Sequence, residues 1–187
     1  MAQAIRAMPE EMPRELWRGF KPESALGQGR VAAIFVAPNS ADEMISLPAV
    51  RAFADRGLEG DRFFRDSWNA VNRSDKAVSL IEDEVLALAA KDLGVEGLGK
   101  LSRRNIATRG VALIDLLGRE FTVGSVRMRG IRLFEPCAHL VKVSKLKGIF
   151  KALEHRSGLK AAVLSDGVIA VGDPVTLAQP HSAAVSL

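Results

Sequence analysis

The chain contains one cysteine, Cys137, in the segment Phe134-Glu135-Pro136-Cys137-Ala138-His139-Leu140. A cysteine thiolate is soft and strongly nucleophilic, so a thiol held near cations can act as nucleophile, metal ligand or sulfur carrier. Pro136 has no N–H and restricts the residue before it. This predicts that the preceding strand ends there and leaves Cys137 on a defined corner. A lone cysteine more commonly packs as a small apolar side chain, and that role competes with the chemical one. A single thiol excludes an intramolecular disulfide and suits a reducing compartment. His139 stands two residues on, and on an extended backbone the two side chains would face opposite ways, which argues against a Cys137–His139 dyad.

Cationic residues form the second constellation. Arg103-Arg104-Asn105, with Arg109 close in sequence, sets two guanidinium forks and an amide at the start of an apolar segment. Such forks match phosphate or carboxylate in a bidentate way, so the cluster suits an anionic ligand, although adjacent arginines are also ordinary on a solvated face. Asp61-Arg62 after Gly60 offers either an anion contact through Arg62 or a salt-bridged loop. The stretch Gly57-Leu58-Glu59-Gly60 has neither the spacing nor the Lys-Ser/Thr of a phosphate cradle. His155 and His181 stand at no metal-ligand spacing, and no zinc pattern is present.

The elements that must position these residues are short. Arg30 to Val36 reads as a buried strand ending at Pro38-Asn39. Met44 to Ala54 is a second candidate, which Pro48 confines to an edge or a bulge. Ala77 to Ile81 reads as a strand leading into the best helix, with Glu82, Asp83 and Glu84 in its first turn, Val85, Leu86, Ala89 and Leu93 inward, and Gly94 just past its end. A strand opens at Arg103 to Thr108. Glu120 to Val123 and Val126 to Phe134 pair across Gly124-Ser125. Lys145 to Arg156 has the spacing of an amphipathic helix with Leu146, Ile149, Phe150 and Leu153 inward. Leu159 to Leu164 and Val168 to Val171 form a hairpin over Ser165-Asp166-Gly167, and Val175 to Leu177 is the last strand.

Many short strands with only two good helices do not fit a doubly wound sheet. The expected fold is mainly β: a closed or partly closed β-barrel with a few peripheral helices. Its 187 residues, 48% apolar and 26% charged, suffice for one core without a disulfide or structural metal. The expected organisation is an N-terminal extension over 1–29, the barrel over 30–178 and a tail over 179–187. No apolar run is long enough to span a bilayer, and the N-terminus lacks a signal peptide's apolar block, so a cytoplasmic protein is expected, without a membrane partner. Lys plus Arg number 26 against 22 Asp plus Glu, a net charge of +4. With few aromatics this favours small anionic ligands over nucleic acid.

Taken in order, Gly57-Leu58-Glu59-Gly60-Asp61-Arg62, Val78-Ser79-Leu80-Ile81-Glu82, Arg103-Arg104-Asn105-Ile106, Glu135-Pro136-Cys137-Ala138-His139-Leu140, His155-Arg156-Ser157-Gly158-Leu159 and Gly172-Asp173-Pro174-Val175 resemble the MOSC family, the domain at the C-terminus of molybdenum cofactor sulfurases. The resemblance covers Arg30 to Leu177. It implies a barrel-like fold that binds the molybdenum cofactor, molybdenum with molybdopterin, or handles sulfur for one. Cys137 takes the metal-ligand or sulfur-carrier role. Arg103 and Asn105 take the places that hold the pterin and its phosphate, with Arg104 beside them. Arg62 takes that of the arginine after Gly-Asp, with Asp61 and His139 as neighbouring site residues. Phe63-Phe64 stand where many members have His after Gly-Asp-Arg, and the Trp68 to Lys76 stretch lacks the glycines common there. No pyridoxal-phosphate site is visible and one cysteine cannot build an iron–sulfur centre. A reductase of N-hydroxylated small molecules would therefore need an external electron donor, and a sulfur carrier a cysteine desulfurase. The rival from another class is a non-catalytic module that binds an anionic ligand and packs Cys137 as structure.

Overall fold

The computed structural model describes residue 18, residues 28–64 and residues 78–177. The Trp68 to Lys76 stretch, most of the 1–29 extension and the 179–187 tail lie outside them. The first apolar run forms β1 (Gln28–Val36), beginning two residues before Arg30. Pro48 splits the second candidate, as its missing N–H requires, into β2 (Ile45–Leu47) and β3 (Ala49–Phe53). The chain continues through β4 (Gly57–Leu58), β5 (Val78–Glu82), α1 (Asp83–Leu93), β6 (Ile106–Arg109), β7 (Glu120–Val123), β8 (Val126–Leu133), α2 (Ala138–Ser144), α3 (Ile149–Leu153), β9 (Leu159–Val163), β10 (Gly167–Ala170) and β11 (Pro174–Leu177).

Seven strands close a barrel in the order β11-β7-β8-β9-β5-β6-β1, with β1 returning to β11 through Gln28↔Thr176 and Arg30↔Pro174. β2 extends the wall from β1, and β10-β3-β4 form a separate small sheet. β5 and β6 are the parallel pair, and α1 makes the crossover that parallel neighbours need. The barrel interior is filled by Ile34, Leu80, Ile106, Phe121, Met128 and Leu159, with other apolar side chains from the same strands. A second apolar cluster, including Ile81, Val85, Leu86, Ala89, Ile149 and Leu153, packs the helices on the outside of the wall. Gly94 ends α1 at φ 65°, a left-handed position that glycine adopts without a Cβ penalty.

Three expectations are corrected. β9 and β10 do not form a hairpin: β9 lies in the barrel between β5 and β8, and β10 pairs with β3. The connection is pinned from both sides, because Ser165 Oγ accepts from the Arg127 N–H at 2.9 Å and Asp166 Oδ1 from the Ala54 N–H at 2.8 Å. These contacts turn the chain off the wall and onto β3. The helix expected over Lys145 to Arg156 is confined to α3, because Lys145 and Gly148 take left-handed backbone, φ 54° and 86°, and a further helix that was not expected, α2, ends just before Lys145. Ile149 and Leu153 are buried, but Phe150 is 42% exposed. Glu82 is the last residue of β5 and stands just before α1, whose first turn Asp83 and Glu84 occupy; its side chain makes no capping hydrogen bond to the helix.

Candidate functional site

Asp61 is the hub of one end of the barrel. Its Oδ1 accepts from the Ala37 N–H at 3.1 Å, Asn105 Nδ2 at 3.1 Å and Arg62 Nη1 at 3.2 Å, and its Oδ2 accepts from the Phe63 N–H at 3.2 Å. Asn105 is equally committed. Its Nδ2 also donates to the Phe35 carbonyl at 3.2 Å, and its Oδ1 accepts from the Ser79 N–H and hydroxyl at 3.2 and 2.8 Å. With donors and acceptor all engaged, Asn105 acts through position: it ties β1, β5, β6 and the Asp61 loop together. That interlock is why a buried amide is tolerated at the start of β6.

Arg62 and Arg103 lie against this hub. Arg62 Nη2 donates to the Arg103 carbonyl at 3.3 Å, and its guanidinium stands 4.6 Å from the Phe63 ring centre. Arg103, at a left-handed φ of 63°, turns its guanidinium onto the 40–42 loop, donating to the Asp42 carbonyl and, at 2.8 Å, to the Ser40 carbonyl. Ser40 in turn places its hydroxyl 3.1 Å from His139 Nε2. Burial lowers the pKa of both arginines. The Arg62 charge lowers Arg103 further, while Asp61 opposes the shift in each.

Arg104 goes the other way around the barrel mouth and is buried. It donates through Nε to the Ser157 carbonyl at 2.8 Å, through Nη2 to the Ser157 hydroxyl and through Nη1 to the Ser102 carbonyl at 3.0 Å. Its guanidinium lies 3.9 Å from the Phe134 ring centre. Among the described residues no carboxylate pairs with it. Burial pushes its pKa down to about 9. Of the neighbours that resist this, Cys137 acts most, ahead of Glu135, while Arg62 adds to the depression.

Cys137 is exposed, not packed. It follows β8 through Pro136 and stands just before α2 in extended backbone, φ −139° and ψ 169°. The corner is held by neighbours: the Phe134 N–H donates to the Gly158 carbonyl at 2.7 Å, and Glu135 Oε2 accepts from the His155 N–H at 2.9 Å. Gly158 sits at φ 103°, and a Cβ there would fall 1.8 Å from the Leu80 carbonyl oxygen, so only glycine lets this turn close on β5.

One run of contacts joins His139 through Ser40, Arg103 and Arg62 to Asp61, Asn105 and Ser79, and Cys137 stands two residues before His139 in the chain. The return path was not legible in the sequence. Ser79 on β5 and Arg132 on β8 are both register partners of Lys160 on β9, so the three share one face of the wall. The buried Lys160 ammonium lies 4.7 Å from the Phe134 ring centre and 5.8 Å from that of Phe63. The one available signal was a charge inside the apolar run Leu159 to Val163. Arg109 does not belong here: it lies at the far end of β6, ion-paired with Asp83. A separate cleft of about 280 Å³, lined by Ala33, Phe35, Leu86, Ala87 and Ala90 among others, contains none of these residues.

A family model, the MOSC domain, matches residues 52–176, more than half of the chain. The chain belongs to the MOSC family. MOSC domains are associated in general with binding of the molybdenum cofactor. No curated protein matches this MOSC chain in sequence. Among solved structures it is similar to the YUAD protein from Bacillus subtilis, at a TM-score of 0.66 and 16% identity, over 80% of this chain and 95% of that one. YiiM from Geobacillus stearothermophilus gives a TM-score of 0.62 at 17% identity, over 84% and 79% of the two chains. YiiM from Escherichia coli gives 0.57 at 16% identity, over 82% and 71%. At these identities the likeness concerns the fold. No helix among the described residues is long and apolar enough to cross a membrane.

Proposed function

We propose that this MOSC protein binds the molybdenum cofactor at the barrel mouth, with Cys137 as its protein thiolate, and reduces N-hydroxylated small molecules with electrons from an external donor. The observation that carries the reading is Arg104: a buried guanidinium with no carboxylate partner among the described residues, resting on the ring of Phe134 three residues before Cys137. A buried cation without a counter-charge is costly, and an anionic ligand beside the sulfur would offset that cost.

The donor set fits the group. Cys137 offers an exposed soft sulfur. Arg104, Lys160 and the remaining N–H groups of Arg62 and Arg103 offer charge-assisted donors to a phosphate, with Arg132 on the same wall face. Asp61 and Asn105 position these donors, and His139 orders the 40–42 loop through Ser40. Among the described residues no group of three His, Cys, Asp or Glu side chains is placed to hold a metal ion, so in this reading the cofactor brings its remaining ligands with it. The bound centre would supply reduction of N–OH to N–H, which takes up two electrons and two protons and releases water. A second reading draws on the exposure of the same thiol: Cys137 as a persulfide carrier loaded by a cysteine desulfurase.

One preparation separates the readings. Protein made in a host with full cofactor synthesis is assayed for hydroxylamine or amidoxime reduction with a chemical reductant, and its intact mass is measured. The reductase reading expects metal-dependent turnover and an unmodified mass after the cofactor is stripped. A mass increase of one sulfur without turnover would favour the carrier. Neither turnover nor persulfide would leave the module that binds an anion without catalysis.

A further inference from the structure

Between Pro136 and Leu153 the chain has four lysines, Lys142, Lys145, Lys147 and Lys151, and no acidic residue. These four account for the whole net charge of +4, since the remaining basic residues of the 26 balance the 22 acidic ones. All four are exposed, and none forms an ion pair among the described residues. They lie on α2 and α3 and the turn between them, and α2 starts one residue after Cys137. In the same segment Val141 and Phe150 are 38% and 42% exposed. The Val141 N–H faces the Cys137 carbonyl at 3.4 Å, one helical turn from the thiol. Elsewhere the chain mixes both signs, as in Arg127 and Arg129 on Glu120 or Arg109 on Asp83.

We propose that the α2–α3 surface beside Cys137 docks an acidic protein, the one that delivers electrons to the Cys137 centre. This rests on the reading above, in which the chain needs an external donor. A segment that exposes charge of a single sign together with apolar side chains is the form that steers a complementary partner and seats it: the lysines raise the encounter rate, and Val141 and Phe150 provide apolar contact. The position next to an exposed sulfur keeps the transfer distance short. The exposed apolar pair favours a protein partner over a nucleic acid, whose recognition rests on phosphate charge and stacking platforms.

The test uses the full chain and flavodoxin as the acidic probe, with affinity measured by titration calorimetry at low and at high salt. Wild type is expected to bind at low salt and to weaken about tenfold or more as added salt screens the lysines. The variant K142E/K147E/K151E is expected to lose at least as much at low salt. The neutral variant K142Q/K147Q/K151Q should lie between them, with an unchanged melting curve showing that the fold is intact. Cys137→Ser should dock as wild type does, so loss of the sulfur chemistry and loss of docking are read separately. The proposal is overturned if flavodoxin does not bind, if the charge-reversed variant binds equally well, or if wild type instead takes duplex DNA or phosphatidylserine vesicles at the same salt.

Discussion

Arg104 and Phe134 are stacked with 3.9 Å between the guanidinium carbon and the ring centre, three residues before the exposed sulfur of Cys137. Because Cys137 is the chain's single thiol, its reactivity reports the local potential without ambiguity. The anionic reagent iodoacetate and the neutral iodoacetamide attack the same atom, so the ratio of their rates cancels steric access. Arg104→Met is expected to lower that ratio roughly threefold or more, and Arg104→Lys to restore most of it, since a charge in a partly desolvated site acts over several ångströms. An unchanged ratio in Arg104→Met would separate Arg104 from the sulfur.

Glu82 gives the fold a pH dependence of known sign. It is fully buried, its Oε1 accepts from the Leu113 N–H at 3.1 Å, and its Oε2 has no partner among the described residues. Burial, with the Glu84 charge adding, pushes its pKa from the ordinary 4.5 up to about 8. A carboxyl that keeps its proton longer in the folded state stabilises most below about 4.5. That contribution declines as pH rises towards about 8, by at most ~1.4 kcal/mol per pH unit. Urea titrations from pH 5 to pH 8 should therefore show stability falling in wild type and a flatter profile in Glu82→Gln, which keeps a neutral acceptor for Leu113. Parallel profiles would contradict the assignment.

Gly158 is expected to be irreplaceable. A methyl group there would overlap the Leu80 carbonyl, at 1.8 Å, from a left-handed backbone. Gly158→Ala should destabilise by at least ~3 kcal/mol through displaced backbone. It should also loosen the Phe134 and Ser157 contacts that hold Arg104. Urea unfolding and the Cys137 alkylation ratio check the two effects together, and a wild-type value of either would count against this description of the corner.

Local chemistry made much of this structure legible in the sequence. Pro48 had to break a strand, Gly94 had to end α1, Gly124-Ser125 had to turn β7 into β8, and Pro136 had to stop β8 before Cys137. What escaped depends on partners far along the chain. Val168 to Val171 has the pattern of a strand whichever neighbour it takes, and the clamps from Ser165 and Asp166 that send it to β3 are tertiary contacts. α2 and α3 give no clear period in the sequence because the left-handed positions at Lys145 and Gly148 leave two helices of seven and five residues. In the site, Arg62, Arg103, Arg104 and Cys137 could be named from residue type and motif. Strand register alone brings Lys160 level with Ser79 and Arg132, and Asn105 is legible as an internal tie only once its three partners, Ser79, Phe35 and Asp61, are known.

The central claim is that Cys137 is the protein thiolate of a molybdenum cofactor seated on the cations of the barrel mouth. The most direct measurement is elemental analysis for molybdenum, paired with fluorescence of the oxidised pterin, on wild type and Cys137→Ser purified from one cofactor-producing host. Wild type should contain molybdenum and pterin in equal amounts. Cys137→Ser, with an unchanged melting curve, should lose most of its molybdenum, because one exposed side chain is exchanged while the buried contacts remain. Wild-type protein without molybdenum or pterin, or a Cys137→Ser protein that retains as much metal as wild type, would contradict it.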